Sequence, residues 1–274
     1  MQVGIVGRGT VGNALAYGLS RGHEVLSYDK YKTEFQNITE IAKCPIIFFC
    51  VPTPMTENGR IGLEILEDAV YEIFKRIEKF SGQIFVIKST TVPGTTTYFE
   101  KKYLGVHWAF CPEFLNERSA QEDFVNTNRI IIGTCLESTK TILTNLFRNA
   151  KFTCPIYHTD NIVAEFVKYY CNILGATKVT LANEMYQIAK LLDINYNKIK
   201  KLVITNKYFT DQHLDVPGQD GKYGFGGKCF SKDLNAFICF AKDKGYNPYF
   251  LEEVWKNNIE FRAKGNKNEI HKQI

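Results

Sequence analysis

The sequence predicts an α/β protein: an N-terminal doubly wound parallel sheet followed by a mainly helical domain. Three observations predict it. Apolar, β-rich runs alternate with helix-period stretches through the first half of the chain. A glycine-rich turn joins the first strand run to the first helix run. Near Asp160 the alternation stops and long helical periodicity replaces it.

Strands are expected over residues 3–6, 24–28, 46–51, 84–88, 107–110 and 130–132. Helices between them are expected over 11–19, 63–80 and 138–149. Alternation of this kind implies parallel strands with helices on both faces. One long helix should follow over 161–192, capped by Asp160–Asn161. Its apolar stripe is Ile162, Phe166, Tyr169, Ile173, Ala176, Val179, Ala182, Met185 and Ile188. Shorter helices fit 196–204, 233–244 and 248–262, and a glycine-rich loop over 217–227 interrupts them. The expected domains are therefore 1–160 (dinucleotide-binding) and 161–264 (helical), with a polar tail over 265–274.

Composition excludes several classes. The 274 residues are 45% hydrophobic and 23% charged, which matches a folded globular chain. The net charge of +5 is spread along the chain and suits a polyanionic small molecule. Nucleic acid is not expected as a partner, because basic residues do not cluster or interleave with aromatics. No run of eighteen apolar residues and no signal-like segment point to a membrane. MQVGIVGRG enters a strand at once, so a cytoplasmic protein is expected, with its eight cysteines as free thiols. No metal is expected: CxxC and HExxH are absent, and the five histidines are dispersed.

Gly7-Arg8-Gly9-Thr10-Val11-Gly12 is a GxGxxG placed between strand and helix. Gly7 permits the tight turn, Gly9 lets backbone approach a pyrophosphate, and Gly12 lets helix and strand pack closely. The helix N-terminus then supplies N–H groups and dipole to the phosphates, as in a Rossmann-type domain. Asp29 ends the second strand, where a carboxylate accepts from ribose hydroxyls and repels a 2′-phosphate. NAD is therefore favoured over NADP, although Lys30 and Lys32 follow it.

Cys229 follows the glycine loop, precedes a helix expected to begin near Phe230 and is flanked by Lys228 and Lys232. A thiol at a helix N-terminus beside cations is expected to have a lowered pKa and to be nucleophilic. The usual fate of a cysteine is to be buried and inert, and the other seven are read that way. Lys168 and Asn172 share one face of the long helix, either as solvated groups or as a cradle for a developing alkoxide. Glu113 and Glu117 could open a solvent-facing helix. Their place beyond a parallel strand instead favours a ligand site. Thr90 lies at another such strand end, where its hydroxyl could equally serve a turn. Gly218, Gly221, Gly224, Gly226 and Gly227 make a loop able to wrap a ligand or simply to connect.

Five further segments complete a pattern: Cys50-Val51-Pro52-Thr53-Pro54, the run from Lys88 to Thr96, Cys111-Pro112-Glu113-Phe114-Leu115-Asn116-Glu117, the run from Ala164 to Asn172, and the run from Gly224 to Asp233. In this order behind the glycine fingerprint they strongly resemble the UDP-glucose/GDP-mannose dehydrogenase family, to about Arg262. The resemblance implies a four-electron oxidation of a nucleotide-sugar C6 alcohol to the carboxylate, with two NAD reduced. It makes Cys229 the nucleophile, Lys168 and Asn172 the oxyanion pair, and Asp233 the partner of Lys168 and a water in proton transfer. Glu113 and Glu117 match the acidic pair, one tied to thioester hydrolysis and one near the nicotinamide, and Thr90 orders water and touches the cofactor. Cofactor contacts are implied at Gly7, Gly9, Thr10, Val11, Gly12, Asp29, Lys32, Val51, Thr53, Pro54, Thr90, Glu117 and Lys232. Substrate contacts are implied at Phe114, Leu115, Lys168, Asn172, Tyr223, Phe225, Gly226 and Cys229. The resemblance also departs in two places. Ser231 stands where the family has proline, and the chain is expected to be a short member without the usual third, nucleotide-gripping domain.

Two rival readings accompany this one: a two-electron dehydrogenase of the 3-hydroxyisobutyrate or 6-phosphogluconate type, and a non-catalytic NAD-binding subunit. The first has no need of Cys229, and the second has no chemical reason to keep all six of Thr90, Glu113, Lys168, Asn172, Cys229 and Asp233. A homodimer through the helix 161–192 is expected, because Phe166, Tyr170, Leu174 and Leu181 add apolar surface beyond the main stripe.

Overall fold

A computed structural model describes residues 1–79 and 82–270, with the side chains of residues 228 and 265–270 outside that description. It divides into two compact units. The first comprises Met1–Pro54 and Ile61–Lys168; the second comprises Met55–Arg60 and Tyr169–Ile274.

The first unit is built on a seven-stranded sheet: β1 (Gln2–Val6), β2 (Glu24–Tyr28), β3 (Ile46–Phe49), β4 (Ile84–Ile87), β5 (His107–Phe110), β6 (Ile130–Gly133) and β7 (Ile156–Thr159). The spatial order is β2-β1-β3-β4-β5-β6-β7. The chain leaves β1 toward one edge and crosses back past it to β3, so a switch point lies at the carboxyl ends of β1 and β3.

Both sheet faces are buried, and the two-residue strand period sorts side chains between two cores. Val3, Ile5, Ile46, Phe48, Ile84 and Val86 enter one core. Their sequence neighbours Val6, Ile47, Phe49, Phe85 and Ile87 enter the other. Helices α1 (Thr10–Leu19), α5 (Ala120–Val125) and α6 (Glu137–Asn149) cover the first face through Leu15, Phe124 and Phe147. Helices α2 (Ile38–Ala42), α3 (Glu64–Phe74) and α4 (Thr95–Lys102) cover the second through Ile41, Val70 and Phe99. Each such fully buried side chain stabilises by about 1.5–3 kcal/mol. The doubly wound expectation is therefore met.

Several details differ from expectation. The sheet is not wholly parallel, because β6 pairs antiparallel with β5 through Phe110 and Gly133. A fully apolar run such as Ile130–Gly133 carries no signal of strand direction. The edge strand β7 has only partial burial and so lacks a clean apolar pattern. Helices α2 and α5 are five and six residues long, too short for a periodicity to be read. Helix α4 begins with three threonines, poor helix formers. Helix α3 stops at Phe74, short of the expected end at Phe80, which lies outside the described residues.

The second unit is helical. Helix α7 (Asn161–Leu191) runs from the first unit into it, followed by α8 (Tyr196–Val203), α9 (Lys228–Asp243) and α10 (Tyr249–Ile270). Ala182, Ala189, Tyr196 and Val216 form a core where α7 meets α8 and the following loop. Arg60 pairs with Asp243 of α9, which ties the short segment Met55–Arg60 into this unit. Helix α9 starts five residues before its expected start at 233, because the turn of Gly227 caps it directly. Helix α10 continues through residues 265–270, and the remaining four of the expected tail lie outside the described residues.

Candidate active site

The expected residues fall in two groups, one in each unit. In the first unit, Gly7 has φ +92°, and a Cβ there would stand 2.7 Å from the Cys50 carbonyl. A Cβ on Gly12 would lie 1.9 Å from the Gly7 carbonyl oxygen. Only glycine satisfies either position. Gly9 faces open space, and no side chain caps α1, so the first-turn N–H groups face outward for an anion. Thr10 is exposed and Val11 half-buried at that helix start.

Asp29 stands at the end of β2, accepting from Arg8 N–H at 2.7 Å and Tyr31 N–H at 3.0 Å. The two bonds orient its carboxylate and leave lone pairs for ribose hydroxyls. The Lys32 ammonium donates to the Arg8 carbonyl at 2.8 Å, beside Asp29. Val51, Thr53 and Pro54 follow β3, and the Thr53 hydroxyl donates to the Thr90 carbonyl at 2.8 Å. The switch-point crevice is thus lined by the residues a dinucleotide needs, and they fit it.

Lys168 and Glu113 meet in the same unit. The Lys168 ammonium donates to the Glu113 carboxylate at 3.0 Å and to its carbonyl at 2.7 Å. Lys168 is 5% exposed, so the solvated reading of this lysine fails. Burial alone would push the Glu113 carboxyl up, but Lys168, the Leu115 N–H and Lys88 outweigh it and hold it below the usual carboxylate range. Residues 111–116 form an extended turn rather than a helix start. Phe114 places its ring 5.5 Å from the Lys168 ammonium, and Leu115 packs on the core. Glu117 is exposed on the next turn, apart from this pair.

In the second unit, Cys229 is exposed in the first turn of α9, and no side chain caps that helix. Lys228, expected to flank it, has its side chain outside the described residues. Asp233, one turn further on, is 1% exposed. It accepts from Asn172 Nδ2 at 2.5 Å and forms an ion pair with Lys232. Tyr223 shares a hydrogen bond with Tyr186, which together with burial pushes its hydroxyl up to about 12. Phe225 is buried, its ring 6.1 Å from Phe230, and Gly226 follows it half-buried. Of the seven cysteines expected to be buried, Cys44, Cys50 and Cys111 are, and burial pushes the Cys50 thiol up to about 12 and Cys44 up to about 11; Cys154, Cys171 and Cys239 are half-buried, and Cys135 is exposed, against that expectation.

Three supporting residues were given no role by the sequence reading. Lys88, 3% exposed, donates to the Cys111 carbonyl at 3.1 Å and so shapes the turn that presents Glu113. Asn183 accepts from Gly224 N–H at 2.9 Å. Asn258 accepts from Phe225 N–H at 2.7 Å and donates to its carbonyl at 3.0 Å. The two amides clamp the loop that leads to Cys229. Lys88 carried one usable signal, a cation ending an apolar strand. A cavity of about 350 Å³ where α7 turns into α8 contains Tyr186, Lys190 and Asp193 but none of the expected site residues.

The glycine turn, the switch-point crevice and Asp29 define a dinucleotide-binding α/β protein. Residues 23–151 match the NAD binding domain of the UDP-glucose/GDP-mannose dehydrogenase family, and residues 162–260 match the central domain of that family. The chain belongs to this family, and NAD is its cofactor. It is 33% identical over 230 residues to the UDP-glucose 6-dehydrogenase YwqF of Bacillus subtilis, covering 81% of this chain and 50% of that protein. It is 29% identical to a GDP-mannose 6-dehydrogenase of Pseudomonas syringae, covering 94% and 68% respectively. The structure of a UDP-glucose dehydrogenase from the archaeon Pyrobaculum islandicum superposes with a TM-score of 0.85 at 27% identity, covering 94% of this chain and 68% of that one. The chain thus spans about half the length of the first of these relatives.

Proposed function

We propose that the protein oxidises the C6 alcohol of a nucleotide sugar to a carboxylate in two steps at Cys229. The observation that carries this reading is the exposed Cys229 in the first turn of α9, one turn before the buried Asp233 that accepts from the half-buried Asn172. NAD, when bound, accepts a hydride from the sugar carbon in each oxidation. In the first, Asp233 and a water take the alcohol proton, while Lys168 and Asn172 stabilise the developing alkoxide. The Cys229 thiolate then adds to the aldehyde carbon to give a thiohemiacetal. Loss of the second hydride from that carbon leaves a thioester on Cys229. Water ordered by Thr90 and Glu113 attacks it, releasing the acid and regenerating the thiol. Two NAD are reduced and one water is consumed per sugar, so electrons and oxygen balance.

The test is to incubate the protein with NAD and a panel of UDP-, GDP- and free sugars, counting NADH formed per sugar consumed. Two supports this mechanism. One would support the two-electron rival, and none the non-catalytic rival.

A homodimer through α7 belongs to the same proposal. Leu174, Leu181, Met185 and Ile188 are each more than two-fifths exposed on that helix. Apolar surface of this extent on one helix is rarely left to water. Light scattering is expected to give twice the chain mass, and a monomer at micromolar concentration would contradict it.

A further inference from the structure

Glu165 lies one turn before Lys168 on α7 and is fully buried. Among the described residues it forms no ion pair. Its Oε2 accepts from Gly94 N–H at 2.6 Å, and its Oε1 from Thr96 N–H at 2.7 Å and the Thr96 hydroxyl at 2.6 Å. These N–H groups are among the orphan donors of the first turn of α4. The N-cap of that helix is Gly94, which has no side chain to serve them. Helix α7 therefore supplies the cap that α4 lacks.

The chain entering α4 is the turn that carries Thr90, anchored at its other end by the Thr53 hydroxyl. The chain leaving Glu165 reaches Lys168 within one helical turn, and Lys168 holds Glu113. We infer that Glu165 is a positioning residue that sets the Thr90 turn against the Lys168–Glu113 pair. The inference rests on the catalytic reading of those three residues given above. A carboxyl group suits the site because both oxygens accept, although burial pushes its pKa up to about 7. Glutamine in either orientation would turn an NH₂ group toward a backbone N–H. Aspartate keeps the chemistry but is one methylene short. Misplacing groups by such distances costs turnover far more than binding.

The experiment compares Glu165→Gln and Glu165→Asp with Leu143→Ala, a core truncation on α6 outside the site. Amide exchange over 94–98 and 161–168 is followed without substrate, and kcat and KM are measured with the nucleotide sugar that wild type turns over. Glu165→Gln is expected to speed exchange over 94–98 by about tenfold or more. It should lower kcat by about tenfold or more with KM within about threefold, and Glu165→Asp should recover part of kcat. Leu143→Ala should lose stability while holding kcat within about threefold. Unchanged exchange over 94–98, or an equal kcat loss in Leu143→Ala, would overturn the inference. Should Glu165→Gln not fold, Thr96→Val, which deletes one of the three donors, carries the same comparison. Failure of wild type to reduce NAD with any sugar would sink the catalytic reading; exchange alone would then decide whether Glu165 joins the two segments.

Discussion

Replacing Cys229 with serine is expected to stop the reaction at the aldehyde. A serine hydroxyl at this position is a far weaker nucleophile at neutral pH than a thiolate, and an ester is a poorer route to the acid than a thioester. Acid production should fall by on the order of 10³-fold or more. NADH titration should be unchanged, since the substitution leaves the glycine turn and Asp29 untouched. Fold should also be unchanged, because the side chain is exposed. The measurement is a product analysis under single-turnover conditions, with aldehyde trapped by hydroxylamine. Full acid production by the variant would remove the covalent scheme.

The second large effect is expected at Lys168. Its replacement by methionine keeps the length of the side chain and leaves Glu113 buried without its cation. Breaking one side of a buried pair typically costs about 3–5 kcal/mol, and Leu115 N–H and Lys88 hold the cost toward the lower figure. Turnover should fall by on the order of 10³-fold, because the group that steadies the alkoxide is gone. The pH dependence has a definite sign. In wild type the Glu113 carboxyl is held below its usual range, so its contribution is present above the unfolded pKa and lost as pH falls. In the variant that carboxyl is an unpaired buried charge, which protonation relieves. The Tm gap between wild type and Lys168→Met should therefore narrow from neutral toward acid pH. Adding Glu113→Gln to the variant should restore stability but not turnover. A pH-independent gap would show that the pair is not an electrostatic unit.

Much of the candidate site's local structure was legible because local rules write it. The Gly7–Gly12 turn must contain glycine where backbone crowds backbone, so the requirement appears directly in the chain. The place of Cys229 next to a helix start was legible from the glycine loop before it, although the helix begins earlier than expected. That Lys168 and Asn172 lie one turn apart on a helix was legible from helical spacing alone. Their partners were not. Glu113 with Lys168, and Asp233 with Asn172, are separated by 55 and 61 positions, and no local rule spans that distance. Glu165 escaped for the same reason: the donors it serves lie about seventy positions earlier on another helix.

By itself the sequence determined the α/β class, the helical second half, the dinucleotide turn and the preference for NAD. Each depends on periodicity or on steric limits that act within a few residues. Tertiary structure alone decided that β6 runs antiparallel to β5 and that Lys168 is a buried ion-pair partner rather than a solvated cation. It alone showed two helices sharing one carboxylate. Those outcomes depend on which groups lose water together, and desolvation is settled by the packed fold rather than by neighbours in the chain.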